Sequence, residues 1–245
     1  MKIKFDKNIF VDYFKNQKSF SNKEIYNYFV KLNPDVKKST VNWRISHLVS
    51  KGVLTRIGRG IYTLGAERKF VHSITNKERN ISKDIIKNYP YLKHCIWNLS
   101  AIKEFLQHII SVNFTIVEIE REAVQSVYNH LKGFNANVFL EPSEYLLEDH
   151  VINLKNSIIV KSLVSESPVT LQEKVPVPDL EKILVDIVSE KELFYFLQGN
   201  EKINIFQNAI DKYTINYDKL KRYAKRRNSY DSIATTINQI NGNKL

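Results

Sequence analysis

Residues 36–66 read VKKSTVNWRISHLVSKGVLTRIGRGIYTLGA, with six lysines or arginines (Lys37, Lys38, Arg44, Lys51, Arg56, Arg59) and neither Asp nor Glu. The order of patterns in this stretch leaves few ways to fold. Val41, Ile45, Leu48 and Val49 recur at i, i+4, i+7 and i+8, so a helix here buries one apolar stripe and shows a polar, basic face. Gly52 ends that helix, because a residue without a Cβ takes the left-handed C′ conformation freely. Two short β-rich runs follow, at 53–57 and 61–64, around Arg56-Ile57-Gly58-Arg59-Gly60. Glycines sit where a tight loop needs them and arginines at its tip, which predicts a hairpin.

The preceding residues complete a unit. Ile9, Phe10, Tyr13 and Phe14 give a short first helix, and Ser21-Asn22-Lys23-Glu24 has capping-box spacing before a second helix with Ile25, Phe29 and Leu32 inward. Asn33-Pro34-Asp35 breaks that helix. Helix, helix, turn, helix, hairpin is the layout of a winged helix-turn-helix, assigned to residues 1–66. If the third helix, from about Thr40 to Lys51, enters the major groove, its outward side chains Ser39, Thr40, Asn42, Trp43, Arg44 and His47 face base edges. Asn42 and Arg44 carry the groups with bidentate matches to adenine and guanine. Lys37, Lys38 and Lys51 suit phosphates, and Arg56 and Arg59 on the wing reach backbone or minor groove. Trp43 has two readings, packing under the wing or touching DNA. A protein-binding module with a solvated basic surface is the alternative to DNA binding.

Residues 67–80 are polar and read as a linker. From 81 to 245 the pattern alternates helix and strand, with strands at 94–97, 114–119, 137–140 and 157–163, helices at 81–89, 100–108, 121–132 and 142–147 between them, and further helices over about 179–240. The fold class is therefore α/β (α+β): a winged helix-turn-helix, a small α/β sheet domain and a helical C-terminal part. Val175-Pro176-Val177-Pro178 reads as an extended lead-in, Asp179 as an N-cap, and Leu180, Ile183, Leu184, Ile187 and Val188 as the stripe of an amphipathic helix.

A net charge of +11 is unevenly spread: +9 over residues 1–66, −3 over 67–217 and +5 over 218–245. Basic ends around a near-neutral middle point to a polyanion, nucleic acid before membrane. No run approaches the roughly 20 apolar residues of a membrane helix, no signal-peptide pattern opens the chain, and the single Cys95 fits a reducing compartment, so the expectation is cytoplasmic. The six histidines show no ligand spacing and no phosphate-binding glycine loop appears, so neither metal nor cofactor is expected. Glu118 and Glu120 would share one face of a strand, as in metal-dependent nucleases, but the expected lysine is missing. Pro178-Asp179 with Glu181 and Lys182 imitates the nuclease string at the start of a helix. The chain is read as not an enzyme. A DNA-targeted nuclease-like enzyme stays open as an alternative, as does a winged-helix regulator whose C-terminal domain senses a ligand or oligomerises.

TVNWRISHLVSKGVLTRIGRGIYTLG, and VPVPDLEKILVDIV with IFQNAIDKYTINYDKLKRYAKRR, resemble the AbiEi-type antitoxins of bacterial abortive-infection systems. The resemblance implies a type IV toxin–antitoxin antitoxin and transcriptional repressor. Such a protein binds inverted repeats of double-stranded DNA in its own promoter and counteracts a nucleotidyltransferase-type toxin. It also suggests, for the basic helix Lys221, Arg222, Lys225, Arg226 and Arg227, a toxin-neutralising or second polyanion surface. Leu220, Tyr223 and Ala224 would form that helix's buried side, and a merely solvated face is the other reading.

Overall fold

The computed structural model describes residues 5–108 and 110–241. It is a mixed α/β architecture whose contacts divide into two compact units, one reaching Lys69 and including Tyr213–Asp218, the other holding Phe70–Lys212 and the chain from Lys219.

In the first unit, α1 (Lys7–Phe14), β1 (Phe20–Ser21), α2 (Asn22–Leu32), α3 (Lys38–Ser50), β2 (Leu54–Gly58) and β3 (Ile61–Leu64) follow in order. The strands form an antiparallel sheet in the order β1-β3-β2. Asp6 caps α1 by accepting from the Asn8 amide at 2.7 Å. At α2 the capping box is present: Ser21 Oγ accepts from Glu24 N at 3.2 Å, and Glu24 Oε2 accepts from Ser21 N at 2.7 Å. Those bonds hold the Glu24 carboxyl below its usual range.

Phe10, Phe14, Phe20, Tyr28 and Phe29 form an aromatic core, with the Phe14 and Phe20 rings stacked at 4.2 Å. Val41, Ile45 and Leu48 of α3 close it, while Val49 lies at the margin, 36% exposed. Gly52 takes φ +66°, as its place after the helix requires, and Val53 N donates to Leu48 O at 2.9 Å. The hairpin turn is tighter than expected. Only Arg59 and Gly60 join the strands, Gly60 at φ +71°, and its carbonyl accepts from Asn22 N at 2.7 Å, tying the turn to the start of α2.

The second unit is built on a four-stranded sheet of β4 (His94–Asn98), β5 (Phe114–Ile119), β6 (Val138–Leu140) and β7 (Ser157–Ser162), in the order β4-β5-β7-β6. β4 is antiparallel to β5, and the other pairings are parallel. Ile81 and Ile85 of α4 (Asn76–Asn88) and Val124, Val127 and Leu131 of α5 (Val124–Lys132) share a core with Ile96, Val117, Ile119, Ile158 and Val160 of the strands. A short α6 (Glu144–Asp149) precedes β7, and α7 (Leu180–Ser189), α8 (Asn200–Lys212), α9 (Tyr217–Arg226) and α10 (Tyr230–Asn241) make the C-terminal part largely helical.

Three elements depart from expectation. The stretch 100–108 is a 3-10 turn, Leu99–Phe105, not an α-helix. The expected linker 67–80 contains the start of α4, opened by a Thr75–Glu78 capping box. Within that stretch His72 is held by the second unit: its Nε2 donates to Pro178 O at 2.6 Å, and burial pushes the imidazole pKa down. The third is a hairpin. VPVP is β9 (Val175–Pro178), antiparallel to β8 (Val169–Gln172) across Glu173 and Lys174. Both turn residues have positive φ, +50° and +68°, the signature of a type I′ turn that usually carries Asn or Gly. Replacing Lys174 by Gly removes a left-handed strain of about 1 kcal/mol, so Lys174→Gly raises the stability in urea melts by up to that amount. A loss of stability on this change contradicts the turn.

Candidate nucleic-acid interface

Burial of Val41, Ile45 and Leu48 fixes which side of α3 faces away from the core. Ser39, Asn42, Trp43, Ser46, His47 and Ser50 are exposed in one stripe at helical spacing. Trp43 does not pack under the hairpin. It is 66% exposed, and its indole lies parallel to the His47 ring one turn on, centroids 5.4 Å apart at 2°. Lys37, Lys38 and Thr40 are exposed at the start of the helix and Lys51 at its end.

The start of α3 breaks the rules its neighbours keep. α1 and α2 are capped by Asp6 and Ser21, whereas Lys37 holds the N-cap position of α3 with no side-chain cap and no acid in the first turn. Two lysines at the positive end of a helix dipole oppose helix formation. Amide groups without a side-chain acceptor, beside two ammonium groups, form a setting that favours an anion.

The arginines divide. Arg44 turns back along the helix, its guanidinium 4.9 Å over the Phe29 ring and 5.7 Å over Phe5, and so serves the aromatic core more than the outward face. Arg56 lies in β2 and donates from Nε to Gly58 O at 3.1 Å across a bulge. Arg59 is exposed in the two-residue turn. Ser46, absent from the expected set, belongs to the stripe by spacing alone.

The basic C-terminal helix is only partly open. Leu220, Tyr223 and Ala224 are its buried side, and Arg222 is exposed. Lys221 is half-buried, Lys225 lies 5.3 Å over the Tyr230 ring, and Arg226 donates to Ser165 Oγ. Arg227 points inward, 2.6 Å from Glu190 Oε1 and 3.5 Å from Asp186 Oδ1, so it belongs to an internal ion network and not to a surface.

That network is what the nuclease-like string becomes. β5 ends at Ile119, and Glu120 turns out of the strand to accept from Lys93 N, so Glu118 and Glu120 do not share a face as expected. Glu118 meets the fully buried Lys182 at 2.6 and 2.8 Å, and Lys182 meets Asp186 at 2.5 Å. Tyr223 OH donates to Asp186 Oδ1 at 2.9 Å and Trp97 Nε1 to Glu118 Oε1 at 3.3 Å. Helix α7 buries the expected stripe Leu180, Ile183, Leu184, Ile187 and Val188, and its polar face is buried too, neutralised inside the second unit. Asp179 stands at the N-cap position but pairs with Lys219 at 2.6 Å and gives no side-chain cap. Cys95 is buried beside the network, paired in register with Glu118. No group of three or more His, Cys, Asp or Glu is placed to hold a metal among the described residues.

Burial alone would depress the Lys182 ammonium, but the Asp186 and Glu118 carboxylates outweigh it and hold its pKa well above the lysine range. Burial would likewise raise Asp186, but Lys182, Lys161 and Arg227 hold it below 3.8. The stability Asp186 contributes is thus present above that value and lost as pH falls through its folded pKa. Lys182→Ala strands two buried carboxylates and costs about 3–5 kcal/mol in denaturant melts. The triple change Glu118→Gln, Lys182→Met, Asp186→Asn recovers most of that loss. A cost under about 1 kcal/mol for Lys182→Ala contradicts the pairing.

The class these features define is a mixed α/β protein whose N-terminal helix-and-hairpin unit carries a basic face free of acids from 36 to 66. The chain belongs to the family described as "Family of unknown function (DUF6577)", which matches residues 40–243. That span runs from α3 through the hairpin and the second unit. The comparison with curated proteins found no match.

Proposed function

We propose that this protein is a transcriptional repressor that binds duplex DNA through a winged helix-turn-helix, with α3 as the recognition helix and the Arg59 turn as the wing. The observation that carries this reading is the exposed α3 stripe, bracketed by Lys37, Lys38 and Lys51, in a stretch with no carboxylate. Phosphate contacts would come from those lysines, Arg59 and Arg56. The resemblance to AbiEi-type antitoxins extends the proposal: the repressor acts on inverted repeats in its own promoter and counteracts a nucleotidyltransferase-type toxin. What supports this second part is the VPVPDLEKILVDIV string, which builds β9 and the buried α7.

A regulator that senses a small molecule is the second reading. It is favoured by a cavity of about 610 Å³ in the second unit, lined by Lys77, Asn80, Ile81, Leu131, Phe134 and Asn156 among others. Burial lowers the Lys77 pKa to about 8, and its ammonium donates to Asn156 O at 2.6 Å.

Fluorescence anisotropy with a duplex from the region upstream of the gene tests DNA binding. Each phosphate neutralised contributes about −0.9 to the slope of log K against log salt, so these five cations give a slope of about −4.5. Lys37→Glu with Lys38→Glu abolishes binding, as does Arg59→Glu with Lys51→Glu, whereas Arg222→Glu leaves it unchanged. A flat salt dependence, or binding that survives both charge reversals, contradicts the proposal. Co-expression with the neighbouring gene tests the antitoxin part, and failure to relieve a growth defect caused by that gene contradicts it.

A further inference from the structure

We infer that α3 reads an A·T pair, with the Asn42 carboxamide on the adenine edge and the Trp43–His47 ring pair against the thymine methyl group. This inference rests on the duplex-binding proposal above and names the sequence class that the same surface selects.

The argument begins with what the stripe lacks. Guanine is read in the major groove by the forked donors of arginine or by lysine. Arg44 is the arginine of α3, and its guanidinium is spread over Phe29 and Phe5. Lys38 and Lys51 stand at opposite ends, thirteen residues and so about 20 Å apart along the axis. A major groove is about 12 Å wide, so a helix whose middle lies over base edges brings both ends to the flanking phosphates. The cations are thereby assigned to the backbone. Ser39, Asn42, Trp43, Ser46 and His47 remain for the bases.

Among these, Asn42 has the paired donor and acceptor that match adenine N7 and N6. Its neighbour is the one large apolar surface of the stripe. Trp43 is 66% exposed, and the parallel His47 ring holds the indole in one orientation. A pre-oriented ring loses little rotamer freedom on docking. The thymine methyl is the apolar group that the major groove offers such a ring. Asn42 and Trp43 are adjacent, so one A·T pair, or two adjacent ones, satisfies both.

The test selects tight binders from a pool of random duplexes with the full-length chain. Each thymine of the winning duplex is then replaced by deoxyuridine, which removes only the methyl group. The expected winner has an A·T pair in each half-site, and one deoxyuridine replacement weakens the wild type roughly fivefold. The same replacement leaves Trp43→Ala unaffected, while Asn42→Ala relaxes the preference for adenine at one position. A winner with only G·C pairs in its half-sites overturns the inference, as does a wild type indifferent to every deoxyuridine. If Trp43→Ala changes self-association and leaves the methyl dependence intact, the ring pair is a contact between copies and the inference fails. Absence of duplex binding at low salt removes the underlying proposal itself, an outcome distinct from binding without a methyl effect.

Discussion

The N-terminal unit depends on the insertion of Val41, Ile45 and Leu48 into a pocket of aromatic rings. Phe10, Phe14, Phe20, Tyr28 and Phe29 leave α3 one way to sit, and the same burial dictates that Asn42, Trp43 and His47 look outward. Side chains three and four positions apart share a face of a helix, so the inner stripe determines the outer one. Arg44 extends this coupling. A cation on the flank of α3 is spent on Phe29, which tightens the helix against its core and takes an arginine from the outward set. The cations that remain outward in this stretch stand at the ends of α3 and on the hairpin at Arg56 and Arg59. Lysines at an uncapped helix start work against local stability.

The second unit follows a different logic. Its α7 passes through the interior with a lysine and an aspartate on its inner polar side, made tolerable by Glu118 from the sheet and Tyr223 and Arg227 from the C-terminal helical region. Buried ions cost desolvation that only close, multiple pairing offsets. The network therefore joins the sheet, α7 and α9 into one body, and it fixes the identity of residues that composition alone would place at a surface. Its outer end, Lys161 with Glu190, borders a cavity of about 370 Å³ at the carboxyl ends of the parallel strands β6 and β7.

Much of this architecture was legible in the order of residues because the signals were local. The Ser21–Glu24 box, the Gly52 stop and the β-branched run at 114–119 are short-range patterns, and each element lies where those patterns put it. The β8–β9 hairpin was not legible, because Glu173 and Lys174 occupy positive-φ positions that Asn or Gly usually mark. Nor was the ion network. Glu118 and Lys182 are 64 positions apart, and no periodicity reports a pairing set by strand register and helix placement. On α3 the spacing identified Asn42, Trp43 and His47 as outward, but the cation–π contact of Arg44 needs the position of Phe29, which only the packed core supplies.

The chain has two tryptophans, and they sit in different units. Trp43 stands exposed on α3, and Trp97 is buried with its indole N–H on Glu118. Their indole N–H resonances therefore report separately on the outward face of α3 and on the interior of the second unit. When duplex DNA from the upstream region is titrated into the labelled full-length protein, the Trp43 signal shifts and saturates while the Trp97 signal stays in place. A shift of Trp97 with Trp43 unmoved would contradict α3 as the surface that meets DNA.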